Sequence, residues 1–211
     1  QNIPIFYYNI WDDWPAPHYN ENFYESCDLI MNISKQTVAI VNEVAKKKPR
    51  TDWDCTYIPH GIHEDYYKPV TNEKEITEMN AMRKQLTDDN IEFVVFYNNR
   101  NIRRKLPGDI IMAYKHFCDQ LPKEQADKCC LLMHTQPRDQ NGTDLPVVAK
   151  TIAPDYKVYF SENKLSVVQL NYLYNIADVT INMASNEGFG LGTCESLMAG
   201  TPIIVNVTGG L

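Results

Sequence analysis

The stretch that most constrains this chain is a strand, a glycine-rich turn, a helix and a second strand, in direct succession near its carboxyl end. Residues 178–183 alternate β-branched residues with other types, which predicts a strand. Residues 191–198 are compatible with a helix that Gly200 and Pro202 would stop, and residues 202–205 resume a strand. In an open parallel sheet, ligands bind at the turn that leaves the carboxyl end of a strand. The sequence therefore predicts an α/β fold with a ligand site at this turn.

The turn combines the features of an anion site with two flanking carboxylates. Gly188, Gly190 and Gly192 let the backbone approach a ligand closely, and the first N–H groups of the following helix attract phosphate. Glu187 precedes the turn, and Glu195 lies about two helical turns later, near the same face. Carboxylates are poor phosphate ligands but accept hydrogen bonds from sugar hydroxyls. A molecule that carries both phosphate and diols would therefore satisfy all these groups.

The same run resembles a known enzyme signature. It resembles the Glu-X7-Glu signature of family-4 retaining glycosyltransferases with the GT-B fold. The parts that match are Glu-Gly-Phe-Gly-Leu, the seven residues between the two glutamates, and the following Met-Ala-Gly-Thr-Pro-Ile-Ile. The resemblance implies that Glu187 contacts the donor sugar and that Glu195 holds the ribose diol. It also implies that the intervening amides face the sugar and diphosphate, which makes donor-binding candidates of Gly188, Phe189, Gly190 and Leu191. The alternative is an ordinary strand, turn and helix with solvated glutamates.

A dense basic cluster, residues 98–105, follows the strand predicted at residues 92–97. A basic turn at the carboxyl end of a strand offers positive charge to an anion. The resemblance implies that Arg100 and, five residues on, Lys105 hold the diphosphate and act with Glu187 as catalytic residues. Taken alone, the cluster is also compatible with a solvated basic turn.

A further turn follows the strand predicted at residues 156–160. The resemblance places this turn near the nucleobase, so Phe160 and Ser161 are candidate base-binding residues. His134 follows the strand predicted at residues 129–133. It is interpreted as a hydrogen-bonded structural histidine, and the alternative is a position facing the site.

The chain divides into three predicted parts. Residues 1–60 resemble the C-terminal remnant of an N-terminal, acceptor-side Rossmann-like domain, and residues 61–71 resemble the interdomain crossing of the family. Residues 72–211 are predicted to be the nucleotide-sugar donor-binding domain without its C-terminal end. The predicted fold is therefore of the GT-B type: a doubly wound parallel sheet plus the end of a second Rossmann-like domain. Because the first part opens in mid-fold, we expect a truncated chain.

Hydrophobic periodicity and capping residues predict the individual elements. The other predicted helices cover residues 34–48, 72–90, 107–121 and 165–176. The other predicted strands cover residues 3–10, 28–32 and 55–58.

Net charge and cysteine content limit the binding partners and the cellular location that we expect. A net charge of −7 argues against nucleic acid or an anionic membrane as the main partner. Six cysteines without a C-x-x-C pair indicate reduced thiols and a cytoplasmic protein. No apolar run approaches the ~18 residues of a spanning helix. Peripheral membrane contact is therefore expected only through regions outside this chain.

Together these features predict a glycosyltransferase that needs no metal. It would move a hexose from a nucleotide diphosphate sugar, GDP- or UDP-linked, to a glycan or another hydroxyl acceptor, with no other cofactor. The departing diphosphate carries negative charge, which Arg100, Lys105 and the helix N-terminus would stabilise in the transition state. Retention of anomeric configuration is implied by the resemblance alone.

Other motifs and functions are compatible with parts of the sequence. Asp52-Trp53-Asp54 has the Asp-X-Asp form of metal-dependent GT-A enzymes, but it fits a turn in a polar stretch better. His60 and His63 lack further ligands at the spacing of a zinc site. A nucleotide-sugar epimerase of the same fold and a donor-binding module without transfer activity are the alternative functions. The truncated chain itself is expected to be inactive if it cannot close an acceptor cleft.

Overall fold

The computed structural model describes residues 3–45, 51 and 54–211, which form two compact units. The first unit contains the residues up to Gly61 together with Asn186–Leu191 and Val207–Leu211, and the second contains Ile62–Ser185 and Gly192–Asn206. The division after residue 61 lies close to the predicted crossing. Residues 186–191 and 207–211, which the prediction placed in the donor domain, group by their contacts with the first unit.

A three-stranded parallel sheet forms the centre of the first unit. Its order is β1-β2-β3, with β1 at Phe6–Asn9, β2 at Leu29–Asn32 and β3 at Cys55–Tyr57. Helix α1, Glu21–Ser26, precedes β2, and helix α2, Lys35–Val44, follows it. The side chains buried between them are Ala16, Tyr24, Cys27, Ile30, Ile40, Val41, Val44, Ala45 and Cys55.

Helix α2 begins where the sequence predicts it. The Ser34 hydroxyl accepts a hydrogen bond from the Thr37 N–H at 3.1 Å, which satisfies one of the unpaired donors of the first turn. The predicted end of this helix, near Lys48, lies outside the described residues.

The second unit contains a five-stranded parallel sheet in the order β6-β5-β4-β7-β8. The strands are β4 at Phe93–Asn98, β5 at Cys129–His134, β6 at Lys157–Ser161, β7 at Val179–Asn182 and β8 at Ile203–Val205. The helices are α3 at Glu73–Leu86, α4 at Pro107–Asp119, α5 at Lys123–Ala126, α6 at Leu145–Ile152, α7 at Val167–Ile176 and α8 at Leu191–Met198. Over the residues that the structure describes, no helix is long and apolar enough to cross a bilayer.

Both faces of this sheet are covered, because alternate residues of each strand point to opposite sides. Tyr97 of β4 packs in one cluster with Ile110 of α4, whereas Phe96 packs in another with Leu173 of α7. Strands buried on both faces form the near-continuous apolar runs that parallel sheets require. The predicted doubly wound parallel α/β fold is confirmed.

Helix α6, Leu145–Ile152, has no counterpart among the predicted helices. Asp144 caps it by accepting a hydrogen bond from the Val147 N–H at 3.2 Å, and Pro146 occupies the first turn, where proline is favoured. Both signals, the capping aspartate and the proline in the first turn, are present in the sequence.

One buried side chain fixes the loop after β4 to the loop after β5. The Asn101 Nδ2 donates to the carbonyl oxygens of Pro137, at 3.2 Å, and Thr143, at 2.7 Å, and its Oδ1 accepts from the Thr143 N–H at 3.2 Å. A Cβ added at Gly142 would lie 2.2 Å from the Asn101 carbonyl oxygen, so this close approach requires glycine. The tether therefore holds together two loops at one edge of the sheet.

We expect the Asn101→Ala variant to lower the free energy of unfolding by about 2–3 kcal/mol. It leaves buried backbone partners without a hydrogen bond, at about 1–3 kcal/mol for each unsatisfied group, with partial rehydration. Urea denaturation measures the loss. The matched control is Asn80→Ala, on the exposed side of α3, which should stay within about 0.5 kcal/mol of the wild type. Equal midpoints for the two variants would show that the tether does not stabilise the fold.

Candidate functional site

Three neighbouring strands of the second unit end at one polar cavity. The parallel register pairs Asn98 of β4 with His134 of β5, and His134 with Ser161 of β6, each at the last position of its strand. These residues line a cavity of about 300 Å³. The other lining residues are Asn99, Arg100, Thr135, Gln136, Glu162, Asn163 and Lys164. The carboxyl ends of parallel strands are where ligands bind in such sheets, so this cavity is the candidate site.

Arg100 is held in place by a carboxylate from the loop after β5. Its Nε donates to Asp139 Oδ2 at 2.8 Å and its Nη2 to Asp139 Oδ1 at 3.3 Å, which is a two-pronged ion pair. The hydrogen bond and charge of Asp139 raise the pKa of Arg100, and the hydrogen bond from Arg100 is the main reason that the pKa of Asp139 is lowered. The Arg100 side chain is 60% exposed. An incoming anion can therefore reach the guanidinium but must share it with Asp139.

Lys105 ends a 3-10 turn, Arg103–Lys105, and is buried. The Tyr97 hydroxyl donates to the Lys105 carbonyl oxygen at 3.3 Å. The Ser185 N–H donates to the Arg104 carbonyl oxygen at 2.9 Å. The basic turn is therefore fixed, within the second unit, to the residue that closely precedes the glycine-rich turn.

Glu195, on α8, is oriented by two tyrosines. The Tyr174 hydroxyl donates to Glu195 Oε2 at 2.7 Å and accepts from Asn98 Nδ2 at 2.7 Å. Tyr67 is a second hydrogen-bond partner, and burial, followed by the charge and hydrogen bond of Glu195, raises the pKa of Tyr67 to about 12. An ionised carboxylate has about four acceptor positions, so two phenol donors leave about two. Glu195 therefore retains the capacity to accept two hydroxyl hydrogens of a ligand.

Close packing brings α8 to this network. A Cβ added at Gly192 would lie 3.2 Å from the Tyr174 hydroxyl oxygen and 3.6 Å from the Asn98 carbonyl oxygen. A Cβ here would require the Tyr174 phenol to shift slightly, whereas its distance to the strand end is that of an ordinary contact. Because Asn98 lines the cavity and also holds Tyr174, it connects the cavity to Glu195.

Tyr174, Asn98 and Tyr67 were not identified as functional residues from the sequence. Tyr174 lies within the helix predicted at residues 165–176, and it is fully buried. A buried tyrosine hydroxyl usually requires a hydrogen-bond partner, so a tyrosine in a buried helix indicates a polar contact inside the protein. The partners themselves come from distant parts of the chain, so the pattern of one helix does not reveal them.

The residues of the glycine-rich turn before α8 belong by their contacts to the first unit. The Glu187 carbonyl oxygen accepts from the Gly210 N–H at 3.3 Å, and the Phe189 ring meets His60 edge-on at 5.3 Å. Gly190 has a φ of +89°, which favours glycine, and a Cβ there would lie 2.4 Å from Leu211. At Gly188, in contrast, an added Cβ would lie 3.5 Å from the Ile10 carbonyl oxygen, which is an ordinary contact distance.

The structure thus brings part of the predicted site together. In the second unit, Arg100 and Ser161 line the cavity at the Asn98 end of β4. Asn98 is connected to Glu195 through the Tyr174 hydroxyl. Glu187 and the turn residues Gly188, Phe189, Gly190 and Leu191 are described with the first unit.

Phe160 and Ser161 lie on opposite sides of β6. The Phe160 ring packs against the hydrophobic cluster that includes Tyr97 and Ile110, whereas Ser161 lines the cavity. His134 combines the two roles that the sequence left open. Its Nδ1 hydrogen-bonds to Ser161, and the residue also lines the cavity.

Among residues 3–45, 51 and 54–211, no group of three or more His, Cys, Asp and Glu side chains is arranged to hold a metal ion. Asp52 and Trp53 of the Asp-X-Asp stretch lie outside the described residues.

We expect Tyr174→Phe to lower the free energy of unfolding by about 2 kcal/mol, because the Asn98 amide and the Glu195 carboxylate both lose a partner. Tyr172→Phe is the matched control on the same helix. Its hydroxyl reaches Glu78, whose side chain is 51% exposed and can bind water instead. Urea denaturation of both variants gives the comparison. A Tyr174→Phe loss no larger than that of the control would contradict the proposed orientation of Glu195 by Tyr174.

Two curated proteins are similar to this chain in sequence. It is 27% identical over 190 residues to the alpha-monoglucosyldiacylglycerol synthase of Acholeplasma laidlawii, covering 88% of this chain and 43% of that protein. It is 27% identical over 105 residues to the trehalose synthase of Pyrococcus horikoshii, covering 49% of this chain and 25% of that protein. The chain therefore spans less than half the length of these relatives. No family model matches the chain.

Solved structures share its fold at low sequence identity. Anabaena HepE in complex with UDP and glucose aligns with a TM-score of 0.74 at 18% identity, covering 98% of this chain and 54% of that one. The α,α-trehalose 6-phosphate synthase of Burkholderia multivorans aligns with a TM-score of 0.78 at 13% identity, covering 98% and 52%. Sucrose-phosphate synthase of Thermosynechococcus elongatus aligns with a TM-score of 0.67 at 22% identity, covering 91% and 44%. The curated relatives and structural neighbours of this chain are GT-B glycosyltransferases, and the chain has their fold.

Proposed function

We propose that this chain carries the donor-binding part of a glycosyltransferase that moves a hexose from a UDP-sugar to a hydroxyl acceptor. The observation that carries the proposal is the link between Arg100 and Glu195 through Asn98 at the carboxyl ends of the strands. One end of this arrangement has a cation suited to phosphate, and the other has a carboxylate with free acceptor positions. UDP is the preferred nucleotide because a structural neighbour was solved with UDP and glucose and another with UDP-2-fluoro glucose.

Each group has a proposed task. Glu195, already oriented by Tyr174 and Tyr67, accepts the two ribose hydroxyls of the donor. Arg100 binds the diphosphate and exchanges one of its contacts with Asp139 for a phosphate oxygen. Lys105 adds positive charge, as the family resemblance implies.

The residues of the glycine-rich turn have the remaining proposed contacts with the donor. Following the same resemblance, Glu187 contacts the donor sugar, and the backbone amides of residues 188–191 face the sugar and diphosphate. These assignments rest on the sequence motif.

The chemistry that these groups support is departure of the diphosphate. Negative charge moves onto the leaving phosphate oxygen as its bond to the sugar breaks. Arg100, Lys105 and the amides at the start of α8 favour this charge more strongly in the transition state than in the ground state, which is the requirement for catalysis. We further propose that the reaction needs no metal and that it retains the anomeric configuration.

A cytoplasmic location is also part of the proposal. Five of the six cysteines are buried, which agrees with reduced structural thiols. The acceptor is proposed only as a glycan or another molecule with a hydroxyl group.

We expect Arg100→Ala to weaken UDP binding about tenfold to a hundredfold, because charge-assisted hydrogen bonds contribute about 1.5–3 kcal/mol. Isothermal calorimetry in EDTA measures the dissociation constant. Arg138→Ala is the matched control, since Arg138 forms a comparable 2.8 Å pair with Asp144 in the loop after β5 but does not line the cavity. Its UDP affinity should match that of the wild type.

The outcomes separate the possible functions. Absence of UDP binding to the wild type, or equal affinities for both variants, would contradict the donor site. Binding of a UDP-sugar by the complete protein without sugar transfer to any hydroxyl acceptor would indicate a donor-binding module instead of an enzyme.

A further inference from the structure

The guanidinium of Arg100 presents two edges, and Asp139 occupies only one of them. Its Nε donates to Asp139 Oδ2 at 2.8 Å and its Nη2 to Asp139 Oδ1 at 3.3 Å. A guanidinium has five N–H groups, so within the described part of the chain three remain for a ligand, two on Nη1 and one on Nη2. They form a second two-pronged edge of the kind that matches a phosphate. Arg100 can therefore bind Asp139 and a phosphate group at the same time.

Asp139 is itself fixed before any ligand arrives. Its side chain is only 9% exposed, and its Oδ1 also accepts from the Asn141 N–H at 2.9 Å. The Asp139 carbonyl oxygen accepts from the Gly142 N–H at 3.1 Å, and the Asn101 tether holds this loop to the loop that carries Arg100. When Nη2 moves to a phosphate, Oδ1 therefore keeps a hydrogen bond, and the shorter Nε contact still holds the guanidinium.

A carboxylate beside a phosphate site has two opposite effects on an anionic ligand. Its charge repels the anion, which weakens binding. Its hydrogen bonds order the arginine, whose long side chain otherwise has many rotamers and loses conformational entropy when a ligand immobilises it. Isolated surface ion pairs contribute little to stability, so the effect expected of Asp139 is on ligand binding.

We propose that Asp139 is a positioning residue of the donor site, which retains Nε of Arg100 and so keeps the edge formed by Nη1 and Nη2 available to the diphosphate. The inference rests on the proposed function and adds to it a residue that acts through another. Arg100 lines the cavity, whereas Asp139 does not. Asp139 therefore orders the cation before the donor binds, and binding does not have to immobilise it.

The test compares Asp139→Asn with Asp139→Ala, which both lack the carboxylate charge. The asparagine oxygen can replace Oδ2 as the acceptor for Nε, while the Asn141 N–H, on an exposed turn, binds water instead. Alanine offers no acceptor. We expect calorimetry to show that UDP binds about threefold to tenfold more weakly to Asp139→Ala than to Asp139→Asn, which is the usual cost of ordering a long side chain on binding.

The Arg100→Ala background separates positioning from a structural role of the loop. With Arg100→Ala present, the two Asp139 variants have no guanidinium to hold, so their UDP affinities should agree within about twofold. Equal affinities of the two single variants would overturn the proposal. A difference of the same size in the Arg100→Ala background would also overturn it, because the effect would then not depend on Arg100.

A measurement on the wild type keeps the test decisive if Asp139→Ala does not fold. The Nε–H signal of Arg100 is identified in proton–nitrogen correlation NMR spectra by its absence in Arg100→Ala. Its heteronuclear NOE should report a side chain that is ordered without UDP and stays ordered with it. A mobile Arg100 side chain in the free wild type would overturn the proposal but would leave the proposed function intact, provided that UDP binds. If UDP does not bind to the wild type, the proposed function fails and this inference fails with it.

Discussion

The parallel register of β4, β5 and β6 is the constraint on which the candidate site depends. It places Asn98, His134 and Ser161 side by side at the carboxyl edge of the sheet. The apolar residues of these strands are buried on both faces, so a shift of one residue would expose the core and would move the polar residues away from the edge. The packing that stabilises the fold therefore also positions the ligand-binding groups.

Networks of polar side chains then fix the positions of loops and helices relative to the strand ends. Asn98 orients Tyr174, Tyr174 orients Glu195, and Asn101 ties the two loops that carry Arg100 and Asp139. Such networks stabilise only when each member is satisfied, because an unpaired polar group inside a protein is costly. The Arg100–Asp139 pair differs from the others, since the Arg100 side chain is 60% exposed and can exchange a contact with Asp139 for one with an anion. The arrangement combines rigid sugar-binding groups with a cation that is available to a ligand.

The sequence predicted the fold class and most elements, because these follow from local periodicity and capping. Helix α8 has the predicted bounds, Leu191–Met198. Helix α7 begins at Val167, after its Ser166 cap, two residues after the predicted start. The resemblance to GT-B glycosyltransferases, derived from the Glu187–Glu195 motif, is confirmed by the relatives and the fold. The roles of Tyr174, Asp139 and Asn101 were not predictable in this way. Each depends on a partner that is distant in sequence, and only the folded sheet brings the partners together.

A crystal structure of this chain with UDP would test the central claim, that one nucleotide binds along the carboxyl edge of the second unit. The account predicts ribose hydroxyls within about 3 Å of the Glu195 carboxylate and a phosphate oxygen on Arg100. UDP bound elsewhere on the chain, with Glu195 contacted only by Tyr67 and Tyr174, would contradict it.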